Sequence, residues 1–453
     1  MTTVTNPYLQ GNYGPVYEEV TATDLAVTGA IPVELCGRYL RNGPNPATAP
    51  DPARYHWFTG DGMVHGIRLR DGRAEWYRNR WVRSAEVARA LGETPRPGPV
   101  HGGMDFAANT NVIGHAGRTF AIVEAGALPY ELTDELATVG ACDFDGTLTG
   151  GYTAHPKRDP QSGELYAVSY FFGWGDDVEV TILDAQARIR SARRVTMGGP
   201  VSLHDCAITQ RSVVLLDLPV TFSMEAAAAG ASFPYRWQEG YRSRVGLLPR
   251  DGDSTEVVWH DVGSCYVFHV MNAYDEPGGD GVVLDVVRHP SMFRTQLLGP
   301  SEGAPTLERW HLDGHGGAVK EERLDDRGQE FPRVDERVVG RRHRYGYAVA
   351  VSRSDDILGT ESLLVCHDFE RGTSVERSFG RDASVGEAVF VPRAADAAED
   401  DGWLLALVHS SAAGTSALHI LNAADPTGEP QAVVELPQRV PAGFHGNWVP
   451  ERR

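Results

Sequence analysis

Short strands joined by tight turns recur along this chain, and this rhythm constrains the fold more than any other feature. The clearest case is Asp71-Gly72, which separates the alternating segments 66–70 and 73–77. An Asp-Gly pair at such a place is the preferred two-residue turn of a β-hairpin. Further strand-like segments follow at spacings of about ten residues. They are 111–113, 119–123, 178–183, 189–196, 213–218, 282–287, 307–312, 345–351, 363–368, 403–408 and 418–421.

Strands this short and regular predict an all-β array that closes on itself. They fall into groups of about four without a strict sequence period, which favours a β-propeller with divergent blades over a sandwich. Two stretches, 85–99 and 224–240, break the rhythm and are predicted to be helical lids or binding elements on one face. No linker rich in Pro, Ser or Gly divides the chain. Residues 1–453 are therefore predicted to form one domain, with cap insertions at about 85–110 and 222–242.

Composition excludes several classes of protein. The 453 residues carry a formal net charge of -19, so a nucleic-acid partner, which needs a basic face, is not expected. The chain shows no apolar run of about 18 residues and no signal peptide, so a cytoplasmic location is expected. The five cysteines form no CxxC pair and are predicted to be buried free thiols.

Four of the 16 histidines lie in apolar or Gly/Pro-containing contexts: His155, His204, His269 and His445. Most of the others, His289 among them, lie in turns or among charged residues and are expected to be structural or exposed. No short-range metal motif links the four, because dozens of residues separate them. Taken alone, each is more typical of a buried, hydrogen-bonded histidine than of a metal ligand.

Several longer motifs run in a fixed order over nearly the whole chain. They are residues 37–46, 60–63, 154–156 with 159–160, 203–205, 268–269 with 272–273, 330–332, Glu387 with 390–393, and 445–446. Together they resemble the carotenoid cleavage oxygenase family. That resemblance implies a seven-bladed β-propeller with a cap of helices and loops over its iron-bearing face.

The resemblance also implies an Fe(II) ion near the propeller axis, held by four histidines without a carboxylate ligand. The matching residues are His155, His204, His269 and His445. Imidazole is a suitable ligand for ferrous iron. The family orients three of its four histidines through glutamates that bind the second ring nitrogen. The implied pairs are Glu124 with His204, Glu330 with His269, and Glu387 with His445.

The activity implied is cleavage of one C=C bond of a rigid polyene by O2, giving two carbonyl products. The protein would position the polyene and exclude water, and no acid–base residue is needed. The substrate tunnel would be apolar and aromatic. Candidate lining residues are Phe106, Val123, Phe171, Phe172, Trp174, Phe222, Phe233, Tyr235 and Phe268.

Two features of the resemblance bear on the substrate class: Val123, and the segments 124–132 and 143–146, which are most similar to carotenoid oxygenases. In the stilbene and phenylpropene branch of the family a lysine commonly stands just before the glutamate that Glu124 matches. An apolar residue there favours carotenoids or apocarotenoids, and stilbenoids or phenylpropenes are the alternative. A non-catalytic propeller that serves as a binding scaffold is a third hypothesis. An apolar tunnel mouth would favour peripheral membrane contact, although neither helical stretch has the basic face of an interfacial helix.

Overall fold

The structure, a computed structural model, describes residues 5–300, 302–351 and 362–451. In these ranges seven sheets follow one another as the blades of a β-propeller, so the predicted fold class is confirmed. Their strands pair antiparallel, except that Val258–Asp261 pairs parallel with Gly317–Ala318. Strands β1 to β17 in chain order are Thr21–Ala22, Val27–Gly29, Gly37–Pro44, Gly62–Arg70, Arg73–Trp81, Asn111–His115, Arg118–Ile122, Tyr130–Leu132, Thr138–Ala141, Lys157–Arg158, Leu165–Tyr170, Asp177–Leu183, Ile189–Thr196, Ala207–Ile208, Ser212–Asp217, Val220–Phe222 and Tyr235–Trp237.

The second half of the chain completes the ring. Strands β18 to β34 are Arg244–Pro249, Val258–Asp261, Tyr266–Asp275, Val282–His289, Thr306–Leu312, Gly317–Ala318, Lys320–Asp325, Gln329–Arg333, Tyr345–Val351, Ser362–Asp368, Thr373–Ser378, Ala383–Val385, Val389–Pro392, Gly402–Ser410, Thr415–Asn422, Ala432–Glu435 and Gly446–Pro450. Every segment that the sequence predicts as a strand overlaps one of these strands.

Tight turns join the strands within a blade. Asp71 and Gly72 both have positive φ, 49° and 73°, as the predicted two-residue hairpin turn requires. Ala116 and Gly117 make the same kind of turn, with φ of 50° and 71°. An L-residue at positive φ is tolerated in such a turn because the flanking strand pairs hold it there.

Strands from the two ends of the chain close the ring. In the first blade the strand order is β1-β5-β4-β3-β34, so the C-terminal strand pairs with β3. In the seventh blade β2 pairs with β33 near the other end of the chain. A core cluster that includes Tyr39, Ile67 and Leu405 joins these two blades. Closure therefore needs both ends of the chain.

The predicted helical stretches are mostly not helical. Helix α1 is Ala85–Ala90 and helix α2 is Met224–Ala228. Each begins at a serine whose hydroxyl accepts a backbone N–H, from Val87 and Ala226 respectively. Both helices end just before a glycine at positive φ, Gly92 or Gly230. The rest of the first insertion contains several prolines and is irregular, and the second insertion contains the β16–β17 hairpin.

The other fold predictions need one correction. Four of the five cysteines are buried, but Cys36 is only half-buried, because it lies at the rim of the first blade just before β3. None of the helices formed by the described residues is long and apolar enough to span a membrane.

Candidate metal centre

Four histidines from four blades meet at the centre of the ring. His155 precedes β10, His204 precedes β14, His269 lies within β20, and His445 immediately precedes β34. Each of these strands is an edge strand of its sheet. Because the four side chains converge, these edges line the axis of the propeller. His155 and His204, 49 positions apart, thus become neighbours, and so do His269 and His445, 176 positions apart.

The four rings are close enough to share one ion. The Nε2 atoms of His155 and His204 are 3.0 Å apart, and those of His269 and His445 are 3.1 Å apart. One nitrogen from each ring falls within a group no wider than 4.8 Å. All four residues are buried.

A β-bulge directs His269 to the axis. The register of β20 against β21 shifts between Val267 and Val270 and again between Val270 and Asn272. A bulge bends the strand and re-aims a side chain, which is why bulges are common beside functional sites. Here Phe268 and His269 have no partner on β21, and His269 points to the axis, whereas Val267 and Val270 stay paired within the core.

Glu330 is bound on both oxygens. Its Oε2 lies 2.5 Å from His269 Nδ1 and also accepts the N–H of Phe331 at 2.6 Å. Its Oε1 lies 2.7 Å from the Nε2 atom of His289. Burial alone would favour the neutral acid, but the two imidazoles outweigh it and lower the pKa of Glu330 well below its usual range. Sequence reasoning missed His289, which no motif marks and which lies 41 residues before its partner.

Glu387 fixes His445 in the same way. Its Oε1 lies 2.9 Å from His445 Nδ1, and its Oε2 accepts the N–H of Gly446 at 2.9 Å. Arg333 donates to the same Oε2 at 3.0 Å. Burial of Glu387 favours the neutral acid, but the Arg333 guanidinium and the His445 ring lower its pKa to about 2. The group is therefore a carboxylate at neutral pH.

Glu124 differs from the other two glutamates. Its Oε2 lies 2.8 Å from His204 Nδ1, but the angles of this contact fall outside those of a hydrogen bond. Its side chain is 12% exposed, against 5% for Glu330 and 3% for Glu387. Glu124 and His204 are thus in contact at the wall of the adjoining cavity, where Glu124 is held less tightly than its two counterparts.

The proton positions explain why a cation fits between the rings. His269 and His445 each present Nδ1 to a carboxylate, which only accepts, so Nδ1 carries a proton and, in the neutral imidazole, Nε2 carries a lone pair. Two lone pairs that face each other across 3.1 Å repel unless a cation accepts both. A carboxylate behind a metal-binding histidine is the usual outer arrangement of such sites. The donor set therefore fits a metal ion.

An apolar cavity of about 720 Å³ adjoins three of the four histidines: His204, His269 and His445. Of the predicted tunnel residues, the structure places seven in its wall: Phe106, Val123, Phe172, Phe222, Phe233, Tyr235 and Phe268. Both insertions contribute to this wall, through residues such as Met104 and Ser232.

Phe171 and Trp174 are not among the lining residues. Phe171 packs behind Phe172, with ring centroids 4.6 Å apart, and covers Gly126. Trp174 stacks under the guanidinium of Arg194 instead. Neighbouring residues in a turn point in different directions, which the sequence alone does not resolve.

A polar cavity of about 500 Å³ lies against the other side of the histidines. His155, His269 and His445 line it, together with charged residues such as Lys157 and Arg333. Since His269 and His445 belong to both walls, the four rings separate an apolar space from a polar one.

Fold and site together define a β-propeller protein with a buried four-histidine metal centre at the end of an apolar cavity. A family model described as "Retinal pigment epithelial membrane protein" matches residues 13–450. The chain belongs to this family, the carotenoid cleavage oxygenases, as its sequence motifs suggest. It is an oxygenase.

Relatives and solved structures agree with that assignment. A carotenoid cleavage oxygenase of Mycobacterium tuberculosis is 46% identical and is aligned over 98% of both chains. The crystal structure of a lignostilbene dioxygenase from Pseudomonas brassicacearum superposes with a TM-score of 0.87, at 28% identity over 100% of both chains. A cobalt-substituted apocarotenoid oxygenase of Synechocystis superposes with a TM-score of 0.84, at 28% identity, covering 96% of this chain and 97% of that one.

Proposed function

We propose that this protein is a non-haem Fe(II) dioxygenase that cleaves one C=C bond of a carotenoid or apocarotenoid with O2. The observation that carries the proposal is the meeting of four buried imidazoles with an apolar cavity of about 720 Å³. Bound Fe(II) would supply O2 activation there. His155, His204, His269 and His445 would hold the ion through neutral imidazoles, which suit ferrous iron.

The chain's own residues orient the imidazoles, shape the cavity for the substrate and exclude water from it. Glu330 and Glu387 fix two imidazoles with their lone pairs inward, and Glu124 supports a third. The aromatic wall, with Phe268 directly beside His204, confines a flat polyene and excludes water from the reacting bond. No general acid or base is required, because O2 supplies both product oxygens and no proton is transferred.

The apolar character of the wall supports a polyene substrate. Val123, the residue before Glu124, is buried against Ala107 and Ala127 and lines the cavity. A phenol in this region would find no cationic partner at that position. The M. tuberculosis relative, named a carotenoid cleavage oxygenase, points to the same substrate class.

Cleavage of stilbenoids or phenylpropenes is the second candidate function, because the P. brassicacearum neighbour is named a lignostilbene dioxygenase. The two are separated by incubating iron-loaded protein with a panel of carotenoids and apocarotenals, and in parallel with hydroxystilbenes and phenylpropenes. Carbonyl products from the polyenes are expected. Turnover of hydroxystilbenes alone would overturn the preferred substrate class, and folded protein that takes up no Fe(II) under anaerobic conditions would overturn both.

Peripheral membrane contact at the cavity mouth is also proposed. Phe172 is 41% exposed and stacks on Phe222 of the cavity wall, and Met224 nearby is 71% exposed. Exposed apolar side chains beside an apolar cavity would give a polyene a path out of a bilayer. Sedimentation with phosphatidylcholine vesicles tests this: binding that the F172Q/M224Q double variant does not lose would contradict it.

A further inference from the structure

One buried carboxylate connects the chain segments that carry three of the four histidines. Asp205 follows His204 directly, and its Oδ2 accepts the N–H of Val270, the residue after His269, at 2.8 Å. Lys157, two residues after His155, lies 2.8 Å from Oδ1 and 3.0 Å from Oδ2. The N–H of Cys206 donates to Oδ1 at 2.7 Å.

Because the Asp205 carboxylate is buried, it depends on its contacts to remain charged. The side chain of Asp205 is 1% exposed and that of Lys157 is 20% exposed. A buried carboxylate must be paired and hydrogen-bonded to remain charged, and here four contacts meet that need. Removing one partner of such a pair leaves the other group uncompensated, which destabilises the structure around it.

The contacts also explain the bulge at His269. A bulge leaves backbone groups without their regular ladder partners. The N–H of Val270 lies within this irregular stretch, and Asp205 accepts it. The carboxylate of the fourth blade therefore holds the fifth-blade strand in the shape that points His269 inward.

We propose that Asp205, held by Lys157, is a positioning residue that sets the mutual geometry of His155, His204 and His269 at the metal. No hydrogen bond joins it to the three rings. It acts through the backbone of Val270 beside His269, through its own backbone next to His204, and through the side chain of Lys157 two residues after His155. The inference rests on the proposed function, since it presumes that the four histidines bind Fe(II).

The test is the Asp205→Asn variant, with Fe(II) affinity measured by anaerobic chelator competition and the visible spectrum recorded after loading with Co(II). Outer partners of metal ligands typically change affinity by about 10- to 100-fold, and a loss in that range is expected. The Co(II) bands should also shift, because the ligand geometry changes. The Lys157→Met variant keeps the bond to Val270 and should show a smaller loss in the same direction.

Asp217→Asn is the matched control. The Asp217 side chain is 0% exposed, its partner Arg244 is 20% exposed at 2.7 Å, and it accepts the N–H of Gly198 at 2.9 Å. It contacts none of the four histidines. Because distant sites act independently, this variant should keep the Fe(II) affinity within about twofold of wild type, with an unchanged Co(II) spectrum.

The outcomes separate this inference from the proposed function. Wild-type protein that binds no Fe(II) would defeat the proposed function. A wild type that binds Fe(II), together with Asp205→Asn protein of unchanged affinity and Co(II) spectrum, would overturn the positioning role alone. An equal loss in Asp217→Asn would overturn it too, because the effect would then be general destabilisation. If Asp205→Asn fails to fold, Lys157→Met decides: lowered affinity supports the role, and unchanged affinity overturns it.

Discussion

At the residue scale, the two nitrogens of each imidazole have separate tasks. In His269 and His445 one nitrogen binds a buried carboxylate, 2.5 Å and 2.9 Å away, and the other faces the shared centre. The carboxylate fixes both the tautomer and the direction of the ring. A variant that removes a carboxylate charge should therefore affect the metal-free protein as well as the metal-bound one.

Replacement of Glu387 by glutamine should change how stability depends on pH. The pKa of Glu387 is lowered from 4.5 to about 2 in the folded protein, mainly by Arg333 and His445 acting against burial. Its contribution to stability is thus full above pH 4.5 and is lost as the pH falls towards 2. The gap in thermal midpoint between metal-free wild type and Glu387→Gln should narrow between about pH 5 and about pH 3. A gap that stays constant, as expected for the exposed control Glu256→Gln, would contradict this.

Removal of one histidine of the centre should abolish iron binding. In His204→Ala the bound iron per chain should fall at least about tenfold after anaerobic loading, since one ligand of four is lost. The control His419→Ala alters a seventh-blade histidine whose ring packs edge-on against Phe379. It should retain the wild-type iron content, as measured by elemental analysis. Equal losses in both variants would show that the ligand set is wrong.

At the element scale, His445 lies in the segment that leads into the final strand, and two glycines beside it allow close packing of the backbone. Neither Gly443 nor Gly446 has positive φ, so conformational freedom is not what these positions need. A Cβ on Gly443 would lie 2.8 Å from the Cα of Gly43, and one on Gly446 would lie 2.8 Å from the carbonyl oxygen of Leu40. The glycines allow the C-terminal segment to lie directly against β3.

Gly443→Ala should therefore loosen the closure of the first blade. Forcing a methyl group against rigid backbone costs about 1–3 kcal/mol, and His445 would move with the segment. Denaturant unfolding should show that loss, and iron content should fall in parallel. Gly140→Ala is the control, because a Cβ there meets no atom of the described residues within 4 Å. A stability change of equal size in both variants would refute the packing argument.

Local sequence patterns predicted the strands and turns well. Features that depend on contacts between blades could not be predicted from the sequence. The Asp71-Gly72 turn is encoded by two adjacent residues, so the sequence alone locates it. The bulge at His269 depends on Asp205, 65 residues from the amide of Val270 that it binds, and no local signal marks it. Likewise, the two helices are shorter than predicted because glycine and proline decide where a helix ends, whatever the alanine content before them.

At the scale of the whole molecule, the ring explains why spacing could not reveal the centre. Each blade brings one edge strand to the axis, so residues on different blades meet regardless of their separation in sequence. His269 and His445 touch although 176 positions separate them. Only the order of motifs, through the resemblance to a family, could indicate these four residues beforehand. The direction in which tunnel side chains point, as at Phe171, also required the complete fold.

The ring also places the centre between two different spaces. The apolar cavity of about 720 Å³ touches His204, and the polar cavity of about 500 Å³ touches His155. A long apolar substrate fits the first space and not the second, because transfer of apolar surface from water favours the aromatic wall. The chemistry of that wall, more than the metal centre, therefore sets the substrate class.

The Val123→Lys variant tests whether the cavity wall, and not the metal centre, sets the substrate class. Val123 lines the apolar cavity and is 4% exposed, so an ammonium group there would be desolvated in the free enzyme and would obstruct a polyene. Burial of a poorly paired polar group costs about 1–3 kcal/mol, which corresponds to a loss of polyene turnover of about 5- to 150-fold. Val123→Leu adds similar bulk near the backbone without charge and should lose less. Iron content should stay at the wild-type level in both, and the lysine variant should gain turnover of hydroxystilbenes, whose phenol it could bind. Equal polyene turnover in the two variants would mean that the wall at Val123 does not select the substrate.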